Sequence, residues 1–148
     1  MIDIKQVHKS FGNREILKGI DLHVPTGSVT VILGPSGSGK TTFLRTLNFL
    51  EKANAGTMQL NDISVDLHKA SNKEILNARR NTSMVFQSYN LFSNKTVIEN
   101  IMEGLVTVKK MKKSQAREIA QRFLKEVDME DYDDYYPVQL SGGQQQRI

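Results

Sequence analysis

The chain has 148 residues, 39% hydrophobic and 24% charged, enough for one modest core. Lys and Arg number 20 against 16 Asp and Glu, a net charge of +4 that brings anionic partners into consideration, and the absence of cysteine excludes disulfides and thiolate metal sites. No apolar run has the length of a membrane span, and Met1-Ile2-Asp3-Ile4-Lys5 lacks the basic and apolar regions of a secretory signal, so a cytoplasmic protein is expected.

In chain order, Ile2 to Val7 and Ile16 to Val24 read as strands joined by a turn at Gly12-Asn13, and Pro25-Thr26-Gly27 punctuates before the next element. Val29-Thr30-Val31-Ile32-Leu33 is short, apolar and β-branched, which predicts a strand; the apolar spacing from Thr42 to Leu47 predicts a helix running to about Leu50. Between them, Gly34-Pro35-Ser36-Gly37-Ser38-Gly39-Lys40-Thr41-Thr42 satisfies the P-loop pattern G-x-x-x-x-G-K-[ST] at every fixed position. Gly34, Gly37 and Gly39 permit a tight turn, successive N–H groups from Ser36 through Ser38 to Thr42 form a nest for phosphate oxygens, and the helix dipole adds favourable potential. Lys40 is expected to reach the β- and γ-phosphates of a nucleotide, and the Thr41 hydroxyl to hold Mg²⁺.

Further along come a hairpin around Asn61-Asp62, a short helix near Asn72 to Arg80, and a strand Met84-Val85-Phe86 that delivers Gln87. Beyond Gln87 helical patterns replace strands. Thr96-Val97-Ile98-Glu99-Asn100-Ile101 starts one helix, and Ser114 is the expected N-cap of a second, in which Ala116, Ile119, Ala120, Phe123, Leu124 and Val127 form one apolar core stripe. Lys109-Lys110-Met111-Lys112-Lys113 has no interleaved aromatics and reads as a solvated approach to that helix. Asp128 to Asp134 lacks the glycine and terminal glutamate of a calcium loop, and His8, His23 and His68 are dispersed, so neither set reads as a metal site.

The last motif is Leu140-Ser141-Gly142-Gly143-Gln144. A serine and two glycines before the helix-forming Gln144-Gln145-Gln146-Arg147 read as a helix N-terminus opened to a phosphate; alone, the same residues read more readily as a turn or linker.

With both motifs in place, the chain resembles the nucleotide-binding domain of ABC transporters from its first residues to its last. The resemblance implies an α/β fold, a P-loop NTPase core with an N-terminal antiparallel β layer and a helical signature subdomain. The implied layout over 1–148 is β layer and P-loop core at 1–87, helical subdomain at 88–140 and the start of the signature helix at 141–148. Ser141, Gly142, Gly143 and Gln144 match the family's signature, which acts on the γ-phosphate of ATP held by a second copy. Phe11 matches the aromatic that stacks on adenine, where tyrosine is commoner, although a core aromatic is the alternative reading of its sequence. Gln87 matches the glutamine that senses the γ-phosphate and contacts Mg²⁺; an ordinary loop glutamine is its alternative, and its place after a strand favours ligand contact. The implied cofactors are therefore ATP and Mg²⁺, with Lys40 and Gln87 as catalytic contributors and Thr41 and Gln87 at the metal.

In the family an apolar strand ending in Asp-Glu (Walker B and the catalytic glutamate), a loop aspartate and a switch histidine follow the signature. None occurs within 1–148. The expectation is a domain truncated before the Walker B strand, a transport ATPase by resemblance yet inactive alone, with uncovered sheet edge and marginal stability. Implied partners are a second ATP-binding subunit in a head-to-tail dimer, transmembrane permease subunits docked near Tyr89 to Thr96, and indirectly an extracytoplasmic substrate-binding protein, with the chain peripheral on the inner face of the membrane. No nucleic acid is expected, because Gln87 to Leu140 is too short for the coiled-coil arm of DNA-repair relatives. Leu17-Lys18-Gly19-Ile20, Tyr89-Asn90-Leu91-Phe92, Asn94-Lys95-Thr96 and Tyr136-Pro137-Val138-Gln139 look like the polar amino-acid uptake group of bacterial importers, with cystine importers close in pattern. The alternatives are a catalytically inactive nucleotide-binding fragment and a soluble ABC protein of translation or repair.

Overall fold

Strands β1 (Ile2–Phe11) and β2 (Arg14–Val24) pair antiparallel across the Gly12-Asn13 turn. Gln6, at φ 51°, is a bulge where the register shifts between Ile4 and Val7. Its freed N–H donates to Asp21 Oδ1 at 2.6 Å, so the lost ladder bond is replaced. The extra residue turns Ile4 and Val7, three positions apart, onto one face, and both are buried. Strands β3 (Ala55–Leu60) and β4 (Ile63–Asp66) turn at Asn61, φ 50°, and complete an antiparallel sheet in the order β2-β1-β3-β4.

The computed structural model describes residues 1–148, which divide into two units, Met1–Met84 and Val85–Ile148. In the first, Ile4, Val7, Leu17, Met58 and Val65 of the sheet bury against Phe43 of helix α1 (Lys40–Leu47) and Ala78 of helix α2 (Asn72–Arg80). α1 ends before Leu50 because Phe49 turns left-handed at φ 56°: its N–H bonds Thr46 O at 3.2 Å, and Leu50 N–H reaches back to Arg45 O at 2.9 Å. This is the Schellman closure with phenylalanine in the place usual for glycine. Arg79 holds it by donating to Asn48 O and Phe49 O at 3.1 and 2.9 Å, and the Phe49 ring packs on the core. Ser71 and Glu74 cap α2 reciprocally.

Two expected strands do not form. Residues 29–33 and 84–86 are irregular, and Val29, Leu33 and Val85 are 91%, 86% and 78% exposed. A strand is stable only when a neighbour completes its ladder, and no segment of 1–148 pairs with either run. Ile32 alone of the first run packs on the core.

In the second unit, helix α3 (Val97–Glu103) begins at Thr96, whose hydroxyl accepts from Glu99 N–H while Glu99 accepts from Thr96 N–H at 2.9 Å. Its first N–H groups, on Val97 and Ile98, donate to Tyr135 O and Asp133 O at 2.8 and 3.0 Å. One π turn, Gly104–Val108, follows, and helix α4 spans Lys113–Glu126. Ser114 is not its N-cap. Lys112 holds that place, because the chain leaving the π turn already has Ala116 N–H on Lys112 O at 3.0 Å. Of the expected stripe, Ala116, Ala120 and Leu124 are buried and Val127 packs on the core, whereas Phe123 is 44% exposed with the Arg122 guanidinium over its ring. Val97, Ile98, Ala120, Leu124, Met129 and Leu140 form the core of this unit, against which Ile148 packs. The four-residue helix α5 (Gly142–Gln145) closes the sequence of elements. No helix is long and apolar enough to cross a membrane.

Candidate functional site

The P-loop turns at Ser38, whose N–H donates to Pro35 O at 3.3 Å, and is left-handed at Gly37 and Gly39, φ 76° and 95°. A Cβ on Gly39 would stand 2.8 Å from Ile16 Cγ2, so only glycine lets the loop lie this close to β2. Gly39 is the N-cap of α1, and the first ladder bond runs from Phe43 N–H to Gly39 O at 2.8 Å. The N–H groups of Lys40, Thr41 and Thr42 therefore precede the ladder, with no side-chain cap and no acid in the first turn. About half an elementary positive charge of helix dipole stands at this end. Phe43 and Thr46, both buried, fix the helix, Thr46 donating to Phe43 O at 2.6 Å.

Lys40 folds back over the loop, its Nζ donating to Gly34 O and Pro35 O at 2.8 Å each. Its ammonium is thus held on the carbonyls of the first two residues of the loop. Thr41 is exposed and Thr42 half-buried. Beside the loop, an opening of about 570 Å³ is lined by Asn13, Arg14, Glu15, Lys18, Gly37 and Ser38, joining the β1–β2 hairpin to the P-loop. Phe11, 49% exposed at the end of β1, carries the Lys9 ammonium 4.7 Å from its ring centroid. Left-handed glycines, one of them with no room for a Cβ, uncapped donors and a cation are the chemistry a Mg²⁺-triphosphate needs.

In the second unit Gln87 is exposed, followed by Tyr89 and Asn90 at φ 56° and 58°. Ser141 caps α5: its hydroxyl accepts from Gln144 N–H at 3.3 Å, and its N–H donates to Gln144 Oε1 at 2.8 Å. The Gln144 carboxamide thus belongs to a capping box. A Cβ on Gly142 would meet Tyr89 Oη at 2.8 Å, whereas one on Gly143 would meet nothing within 4 Å. The residues expected to bind nucleotide thus form two sets, the P-loop with Phe11 in the first unit and Gln87 with the signature in the second.

The model of the ABC transporter family matches residues 17–148. The chain belongs to the ABC transporter family. This ABC chain is 51% identical to the L-cystine import ATP-binding protein TcyN of Bacillus subtilis (strain 168), over 100% of its own length and 57% of the relative's. It is 49% identical to the arginine transport ATP-binding protein ArgV of Corynebacterium glutamicum, over 100% of itself and 61% of that protein. It therefore spans about three fifths of the length of these relatives. The dimeric post-hydrolysis structure of the ATP-binding cassette MJ0796 bound to ADP and Pi matches with a TM-score of 0.84 at 32% identity, covering 99% of this chain and 66% of that one. The fold is that of an ABC ATPase cassette, with the antiparallel β layer and helical segment that the motifs imply.

Three contacts at or near these sets are absent from the sequence reading above. Lys9 over Phe11 was detectable from their i, i+2 spacing on one strand face. Tyr89 against Gly142 joins residues far apart in sequence, and no local signal announces it. Asn100, whose amide donates to Phe92 O, Lys95 O and Thr96 O at 3.2, 3.2 and 2.9 Å, pins the loop between Gln87 and α3.

Proposed function

We propose that this chain carries the phosphate-gripping and signature parts of the ATP-binding subunit of a bacterial importer for polar amino acids, with cystine the first cargo to test. The observation that carries the reading is the P-loop: Lys40 is folded onto the loop's own carbonyls, and three uncapped helical N–H groups follow left-handed Gly37 and Gly39. The identity to a cystine and an arginine import protein supports the cargo class. Lys40 exchanges its two carbonyl acceptors for β- and γ-phosphate oxygens, and the N–H groups of Gly37 to Thr42 receive the remaining phosphate charge. Phe11 offers its open face to the adenine, and the Thr41 hydroxyl, exposed in the first turn of α1, would hold Mg²⁺. Bound Mg²⁺ supplies neutralisation of charge on the transferring phosphoryl group.

Ser141 and Gly143 reach the γ-phosphate on a second copy, so two cassettes close head to tail. ATP favours the closed pair and hydrolysis removes that preference, and the permease subunits respond to the population shift from the inner face of the membrane. Calorimetric titration with Mg-ATP tests the grip. Lys40→Ala removes two charge-assisted bonds and lowers affinity by at least about tenfold; equal affinity in the variant refutes the reading. Uptake of labelled cystine against labelled arginine by the full transporter decides the cargo.

A further inference from the structure

Lys9 and Thr46 are the two buried polar residues, Lys9 being 8% exposed. Its ammonium donates to Lys52 O at 2.7 Å, pairs with Glu51 Oε1 at 2.7 Å, and lies over the Phe11 ring. A carbonyl, a carboxylate and a ring face thus surround one cation. The loop that supplies the first two follows α1, and it grips the same stretch of β1 twice more: Asn54 N–H donates to His8 O at 2.8 Å, and Ser10 N–H to Asn54 Oδ1 at 2.7 Å. The helix that opens on the P-loop therefore closes, at its far end, on the strand that ends in Phe11. A cation over the ring restrains its rotamer, and Phe11 stays 49% exposed.

We propose that Lys9 is a positioning residue for Phe11, fixing the ring in advance so that its open face stacks on the purine base of the bound nucleotide. The inference rests on the stacking role of Phe11 in the proposed function. A ring held in place stacks without first losing rotamer freedom, and this preorganisation appears as affinity for the base and not for the phosphates.

The test compares Mg-ATP with Mg-tripolyphosphate, which has phosphates and no base, on the whole 1–148 chain. Phe11→Ala lowers ATP affinity about tenfold, the worth of one aromatic–base stack, and leaves tripolyphosphate unchanged. Lys9→Met, which keeps the apolar stem, lowers ATP affinity about three- to tenfold through loss of the cation–π contact. Its tripolyphosphate affinity stays within about twofold, the usual error of independent sites. Combined with Phe11→Ala, Lys9→Met adds nothing further. Glu51→Gln leaves the ammonium in place with a weaker anchor and shows a smaller loss of the same kind; it gives the reading if Lys9→Met fails to fold. A Lys9 effect equal on both ligands, absent on ATP, or undiminished in the Phe11→Ala background overturns the positioning role alone. An unchanged ATP affinity in Phe11→Ala removes the stacking reading, and Lys9's role with it.

Discussion

Replacing Gly39 with alanine imposes two separate costs on the P-loop. At φ 95°, an L-residue in left-handed backbone is strained by about 1–2 kcal/mol. Its new Cβ would stand 2.8 Å from Ile16 Cγ2 and 3.2 Å from Leu17 Cδ2. Leu17 is 3% exposed and has nowhere to move, so loop or hairpin gives way at an overpacking cost of about 1–3 kcal/mol. Together the penalty is about 2–5 kcal/mol, a large share of the roughly 5–15 kcal/mol that holds a whole domain. Urea unfolding followed by circular dichroism reads the stability, and Mg-ATP titration reads the site. Adding Ile16→Ala removes the nearest clash but leaves the φ strain, so Gly39→Ala with Ile16→Ala is more stable than the sum of the single effects by at least about 1 kcal/mol. Strict additivity, or a Gly39→Ala chain as stable as the parent, would refute the close approach of loop and hairpin.

Thr96→Ala deletes one half of the α3 capping box and costs about 1 kcal/mol; a urea midpoint equal to the parent's counts against the cap. The Lys95 ammonium, then the Thr107 hydroxyl, hold the Glu103 carboxyl below its ordinary 4.5. A depressed carboxyl contributes stability that is present above 4.5 and lost as pH falls through the lowered value, so Glu103→Gln flattens the acid limb of a stability-versus-pH curve; an unchanged limb contradicts the pairing. Gly142→Ala pushes on Tyr89 Oη and speeds amide exchange in residues 87–90, and Tyr89→Phe, which removes the hydroxyl, restores the parent rate. No change in exchange with Gly142→Ala would show that the contact does not hold the loop.

Locally encoded features were legible. The Asn61-Asp62 hairpin, α2 from Asn72 to Arg80, the Thr96 start of α3 and the P-loop turn depend on residues within a few positions of one another. Features that need a distant partner were not. Residues 29–33 and 84–86 have strand composition but no neighbour to pair with, so composition alone misled. Leu50 was assigned to α1 because its apolar spacing continues, yet Phe49 turns left-handed under the Arg79 clamp, a contact set from α2. Ser114 is a good cap by type, but the π turn ahead of it sets where α4 begins. The bulge at Gln6 depends on Asp21 of β2, a partner supplied from another strand. At the site, residue types and spacing were readable from the motifs, whereas the fold-back of Lys40, the Gln144 capping box and the Tyr89–Gly142 contact are matters of geometry.

Hydrogen exchange of the 1–148 chain, read by mass spectrometry with and without Mg-ATP, tests most directly whether the P-loop grips phosphate. The expected result is protection of the amides from Gly37 to Thr42, abolished by Lys40→Ala. Unchanged exchange in that segment at saturating Mg-ATP would contradict the phosphate nest and the function built on it.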